Sequence, residues 1–347
     1  MEIDNLLNAQ NYNGVLSYCK QQNMNYTYLL LSKIFADENL IKTTSNTQSP
    51  LSKPIPKTRI QIYCNWCSSE DLCKLWEKMS KGNCEWDGIV LISNNEKPDY
   101  YVVINCPPIG INPPKEKTII FQMEPNMNLY ENQWGEWANP KGYLKVFSHD
   151  VAFNNNEWHL SKTYNELINE KDIQKNEGEV ISVILSDKYR DLYQIKRIDF
   201  VKYLESEGFK LDVYGGNRFN YKNYKGTLPS HCKDNGLLPY KYTFNCENNV
   251  IKNYYTEKLI DGILCECLCF YCGAPNISEL IDERAYVKLD LNNFSGSVKI
   301  IKQALSENWW EKRIEFIRKE KKRILNELQF FPRLENYLRT NELKILN

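Results

Sequence analysis

Histidine is nearly absent: His149, His159 and His231 are the only three in 347 residues, so imidazole-based acid–base chemistry has few places to sit. His149 follows Phe147-Ser148 at a predicted strand end, where it suits a cleft or an ordinary polar strand terminus equally. No G-x-G-x-x-G and no G-x-x-x-x-G-K-[ST] occurs, which removes dehydrogenases and P-loop kinases. No Asp-x-Asp occurs either, which weakens any scheme in which a divalent ion clamps a diphosphate through paired carboxylates. Net charge is also missing, with 44 basic against 44 acidic side chains, so no global field recruits a polyanion and no nucleic-acid partner is expected. The densest basic cluster, Arg318 to Arg323, contains Glu320 and reads as a solvated helix face. No apolar run approaches the ~18–20 residues that span a bilayer, and Met1-Glu2-Ile3-Asp4 lacks a basic leader. The expectation is a cytoplasmic chain without a transmembrane segment.

What is present is ordinary globular material: 42% hydrophobic and 25% charged residues, in a length suited to two domains and an extension. Twelve cysteines are scattered without an export signal, which favours reduced thiols. Cys64-Asn65-Trp66-Cys67 has the spacing of a metal clamp, and Cys265, Cys267, Cys269 and Cys272 cluster. A zinc site normally pairs two knuckles, however, and the second cluster is interleaved with Leu264, Leu268, Phe270 and Tyr271. It reads as a buried helix end running into a strand, and no metal ligands are assigned.

Residues 1–45 carry helical spacing in Leu6, Leu7, Val15, Leu16, Leu29, Leu30, Ile34 and Phe35, broken around 11–14 and 21–25, so a helical hairpin is expected. One hairpin cannot bury its own face, so residues 1–42 should dock on a protein partner or on the rest of the chain. Residues 46–57 form a Ser/Pro-rich linker. Short β-branched runs then follow at Ile60 to Tyr63, Gly88 to Ile92, Tyr100 to Ile104, Thr118 to Phe121 and Tyr143 to Phe147, with a helical pattern at Glu70 to Met79. After a polar stretch at 169–178, where a hinge is expected, the alternation resumes. Strands are expected at Glu179 to Leu185, Leu211 to Tyr214, Tyr240 to Cys246 and Cys269 to Tyr271, and helices at Arg190 to Glu207, Glu257 to Cys267, Val298 to Leu305 and Trp309 to Leu328. The class is α/β: two Rossmann-like domains, 58–170 and 176–330, facing a cleft, with a helical tail at 331–347.

Polar residues concentrate in Tyr240 to Lys258, which predicts a strand, a turn and a helix start. Thr256 is placed to cap that helix, which sets Glu257 and Lys258 in its first turn. A lysine there opposes the helix dipole unless it faces an anion bound at the same helix start; the alternative is an exposed lysine. Glu247 and Asn248 suit either a ribose or sugar hydroxyl, or the turn's own amides. Trp134, Trp137 and Trp158 lie near expected strand ends of the first domain, where one of them is expected to stack on a sugar and the others to pack the core.

Three blocks, Tyr240-Lys241-Tyr242-Thr243-Phe244-Asn245-Cys246-Glu247-Asn248, then Tyr254-Tyr255-Thr256-Glu257-Lys258-Leu259-Ile260-Asp261, then Tyr271-Cys272-Gly273-Ala274-Pro275-Asn276, resemble in order the donor-binding signature of glycosyltransferase family 10, the α-1,3/1,4-fucosyltransferases. A fainter similarity, through Asn65-Trp66, Glu124-Pro125 and Arg197, extends it over roughly 58–330. The resemblance implies a GT-B enzyme that moves fucose from GDP-fucose to a glycan hydroxyl with inversion and without a cofactor. It implies diphosphate contacts for Lys258 and Arg197, donor-hydroxyl contacts for Asn248 and Glu257, a place for Tyr254 in the same pocket, and a general-base role for Glu124. The serine of the family's E-S-P segment is missing here, and Cys272 stands where the family has tryptophan. A transferase for another nucleotide-activated sugar, or a catalytically silent glycan-binding or scaffolding protein, remains compatible with the same residues.

Overall fold

A computed structural model describes residues 15–16, 57–93 and 96–345, the last five by backbone alone. The chain divides into two compact units, 1–55 and 56–347. In the first, Val15 and Leu16 are helical and buried; the expected hairpin and linker otherwise lie outside the described residues.

The second unit contains two sheets. The first is built from β1 (Thr58–Cys64), β2 (Glu85–Trp86), β3 (Ile89–Ile92), β4 (Tyr100–Ile104), β5 (Thr118–Gln122) and β6 (Lys145–Ser148), in the order β2-β3-β1-β4-β5-β6. All pairs are parallel except β2 with β3. Helix α1 (Ser69–Glu77) covers this sheet, and α2 (Glu131–Trp134) and α3 (Tyr164–Asn169) follow later. The second sheet takes β7 (Ile181–Leu185), β8 (Leu211–Gly215), β9 (Tyr242–Cys246), β10 (Leu268–Cys272) and β11 (Tyr286–Lys288), all parallel, in the order β11-β10-β9-β7-β8. Its helices are α4 (Leu192–Ser206), α5 (Glu257–Leu264), α6 (Phe294–Ser306) and α7 (Trp309–Arg323), and α8 (Phe330–Ile345) closes the chain.

The interior strands β5, β9 and β10 are buried on both faces, which is why they read as continuous runs rather than alternating ones. Each sheet has the same winding: the second parallel strand lies outside the first, and the third, fourth and fifth follow on the other side. The order therefore reverses between β1 and β4 and between β7 and β9, and a ligand crevice opens at such a switch point. The α/β, GT-B type of architecture expected from the sequence is the one adopted.

Three expectations change. The basic cluster on α7 is not a solvated face: Lys321 is buried and its Nζ lies 3.1 Å from Glu266 Oε1, while Arg318 Nε donates to Glu266 Oε2 at 3.0 Å. Glu266, in left-handed conformation at φ 59°, ends the α5–β10 turn and presents the buried carboxylate that draws them in. That same turn stops α5 at Leu264 rather than Cys267 and lets β10 begin at Leu268. The tail beyond Phe330 is not peripheral. Phe330 packs on Trp76 and Phe121, ring centroids 4.6 and 5.3 Å apart, and Phe331 on Trp86 at 6.0 Å, so α8 completes the core of the first sheet. Arg333 then donates to Asn155 O and Asn156 Oδ1, both at 2.9 Å, and fixes the segment that links the lobes. No helix among the described residues is long and apolar enough to cross a membrane.

Candidate active site

The second lobe's switch point is where Arg197 lies. It projects from α4, and its guanidinium donates to Asn248 Oδ1 (2.9 Å) after β9 and to Ser186 Oγ (3.0 Å) after β7. Arg197 is 5% exposed, its Nε is buried without a hydrogen-bond partner, and it forms no ion pair among the described residues. Burial lowers its pKa from the usual guanidinium value, against the pull of neighbouring acids that include Glu247. A desolvated cation with an unmet donor is costly unless an anion arrives from outside.

Opposite it stands the start of α5. Thr256 is the N-cap, its hydroxyl accepting from Lys258 N at 3.4 Å. Glu247, fully buried, holds that cap: its carboxylate accepts from Thr256 N (2.9 Å), Thr256 Oγ1 (2.7 Å) and Tyr271 OH (3.2 Å). Its hydrogen-bonding capacity is thus taken up inside the protein, and of the two sequence readings it fits the one in which it satisfies turn groups. Burial is the main cause that raises the Glu247 pKa.

From Glu247 a chain of alternating charge runs along the helix start. Lys258 Nζ lies 3.5 Å from Glu247 Oε2 and 3.3 Å from Glu257 Oε1; Lys233 Nζ lies 3.2 Å from Glu257 Oε1 and 2.8 Å from Asp261 Oδ2. Burial opposes charge at Glu257, but Lys258, Lys233 and His159 outweigh it and hold the carboxyl well below the ordinary range. At Lys258 burial likewise disfavours charge, and Glu257 and Glu247 more than reverse it, so the amine stays protonated. Asp261 also accepts His159 N at 2.8 Å, which staples the link between the lobes to the second lobe.

The first lobe contributes the residues after β5 and β6. A cavity of about 220 Å³ is lined by Met123, Glu124 and His149 on that side and by Asn248, Tyr254, Glu257 and Lys258 on the other, with Glu157 and His159 from the link between. Glu124 also lines a neighbouring cavity of about 300 Å³ with Pro125, Asn126, Tyr130, Gln133, Trp134 and Asn249. One exposed carboxylate therefore borders both spaces. Tyr254 is buried, its pKa raised by burial and further by the Glu247 and Glu124 carboxylates. His149 is a tie between lobes: its ring nitrogens stand 3.1 Å from Asn253 O and 3.2 Å from Met123 O, and Asn253 Nδ2 donates to His149 O at 3.0 Å.

Of the sequence-named residues, Glu124, Asn248, Tyr254, Glu257 and Lys258 line one crevice, Arg197 is tied to it through Asn248, and Glu247 is buried beneath the helix cap. Of the three tryptophans, Trp134 lines the second cavity, Trp137 packs on Tyr143 and Trp158 is wholly buried. Sequence reasoning missed Lys233, His159 and Glu157, which sit in aperiodic connections that give no pattern to follow. Asp261 had a signal: it lies four residues after Glu257, on the same helix face.

Residues 174–308 match the model of the C-terminal domain of glycosyltransferase family 10 (fucosyltransferase). That match covers the second sheet and helices α4 to α6. Among solved structures, an α1,3-fucosyltransferase with GDP is 19% identical, covering 78% of this chain and 84% of that one at a TM-score of 0.44. The same type of enzyme with GDP-fucose gives 19%, 78%, 84% and 0.43. An α-glucosyltransferase in complex with UDP and a 13-mer DNA containing an HMU base is 12% identical, covering 78% and 100% at 0.45. No curated protein matches the chain. The family 10 match spans Arg197, the capped start of α5 and Gly273, where an added Cβ would meet Tyr271 OH at 2.0 Å and Glu247 Cγ at 2.8 Å. Only glycine leaves the Tyr271–Glu247 support for the cap intact.

Proposed function

We propose that this glycosyltransferase moves fucose from GDP-fucose to a glycan hydroxyl with inversion. The acceptor oxygen attacks the anomeric carbon while Glu124 takes its proton, and the bond to the nucleoside diphosphate breaks on the opposite face. Charge that accumulates on the departing diphosphate is met by Arg197 and Lys258, fixed cations that need no reorganisation as the bond breaks. Asn248, Tyr254 and Glu257 line the donor side, and Glu247 supports it from below. The observation that carries this reading is Arg197: a buried guanidinium, without an acidic partner among the described residues, at the switch point of a family 10 donor domain. The fucose assignment rests on the family description alone.

The test is direct. GDP and GDP-fucose should raise the melting temperature, by about 2.7 kcal/mol of added stability at 100 times Kd, and UDP should not. Glu124→Gln should keep GDP-fucose binding while turnover falls ~10²–10⁴-fold, the usual contribution of a positioned base. A preference for UDP would remove fucose, and no response to any nucleotide would favour a glycan-binding protein without transferase activity.

A further inference from the structure

We propose that Glu157, His159 and His231 form a binding site for one divalent transition-metal ion, of which Zn²⁺ fits the donor set best. One ligand atom from each side chain lies within 4.8 Å of the other two, and the two imidazoles meet edge to face with centroids 4.3 Å apart. A tetrahedral metal at ~2.1 Å from each donor spaces its ligand atoms ~3.4 Å apart, so side-chain movements of up to about 1.4 Å close the set. Two imidazoles and one carboxylate, with solvent in the fourth position, is a donor set that zinc accepts.

Three further observations point the same way. His231 Nδ1 is buried and without a hydrogen-bond partner, an unmet polar atom on one of the three clustered side chains. Glu157 is already oriented, since Trp76 Nε1 donates to its Oε2 at 3.1 Å while its Oε1 faces His159 Nε2 at 3.2 Å. Behind His159, its Nδ1 faces Glu257 Oε1 at 3.9 Å, on the side from which a carboxylate backs a metal-bound imidazole, though beyond hydrogen-bond distance. The nearby cations are engaged elsewhere: Lys78 Nζ donates to Leu160 O at 2.7 Å, and Lys233 serves Asp261 and Glu257. Glu157 and His159 lie on the link between the lobes and His231 on the connection between β8 and β9. A bound ion would therefore clamp that link to the donor lobe, with His159 and Glu257 between it and the proposed diphosphate cations. The site stands whether or not the transfer reaction proposed above is correct.

The experiment is equilibrium dialysis of the full, reduced chain against Zn²⁺, with Co²⁺ spectroscopy to report the ligands. His231 has φ 56°, a left-handed conformation that asparagine tolerates, so His231→Asn should fold; Glu157→Gln is the second variant, and circular dichroism checks both. The expected result is one ion per chain, a cobalt d–d spectrum without a thiolate charge-transfer band, and affinity at least ~10-fold weaker in each folded variant, ligand loss costing no less than loss of an outer-shell partner. Absence of binding, a thiolate band, or unchanged affinity in a folded variant overturns the site.

Discussion

At Arg197 stability and function pull in opposite directions. Its guanidinium is held by two neutral acceptors and no carboxylate among the described residues, in an environment that already disfavours its charge. Arg197→Met removes a desolvated cation, and the side chains it leaves, Ser186 and Asn248, are exposed and half-buried and so can turn to water. The melting temperature without nucleotide should not fall. Affinity for the nucleoside diphosphate should fall ~10–100-fold, since a hydrogen bond to a charged group contributes ~1.5–3 kcal/mol. Calorimetry on the free protein and titration with GDP measure the two separately. A lower melting temperature with unchanged affinity would make Arg197 a structural residue.

Helix α5 is held unusually close to the sheet. A Cβ at Gly262 would meet Cys269 Sγ at 2.3 Å, Thr243 Cγ2 at 3.1 Å and Asn245 Nδ2 at 3.3 Å. Glycine inside a helix ordinarily loses ~0.5–1 kcal/mol against alanine, yet here alanine must displace α5 or its neighbours, at ~1–3 kcal/mol. Gly262→Ala should therefore lower the urea midpoint and weaken nucleotide binding, because the cap and Lys258 ride on the same helix. Adding Cys269→Ala opens the space and should restore most of both. The strand–turn–helix unit itself is legible in the amino-acid sequence, through the three ordered blocks that run from Tyr240 to Asn276. The contact beneath Gly262 is not, because it depends on two strands that meet only when the sheet assembles.

Between the lobes the decisive group is His149. Burial lowers the pKa of His149 and outweighs the two flanking carbonyls on opposite lobes, which favour the charged ring; the neutral ring donates to one of them. A histidine whose folded pKa lies below the unfolded ~6.5 contributes stability that is fully present above pH 6.5 and lost as pH falls toward the depressed value. His149→Gln removes that proton uptake, so stability should fall less steeply as pH drops below about 6.5, by at most ~1.4 kcal/mol per pH unit. Chemical denaturation at several pH values reads the difference. Equal slopes in the two proteins would show that His149 is not the titrating tie.

The class of fold and the proposed donor-side residues are written in local order. Apolar β-branched runs alternating with helical stretches specify two parallel sheets, and the helix cap with its neighbouring lysine follows from contiguous residues. Which charges face which depends on chain crossings that no window of sequence contains. Lys233 reaches Glu257 across 24 residues, His149 reaches Asn253 across 104, and Phe330 returns to pack on Trp76. Short-range steric and hydrogen-bonding preferences are encoded residue by residue, whereas the pairing of buried charges is settled by desolvation once the sheets have brought distant segments together.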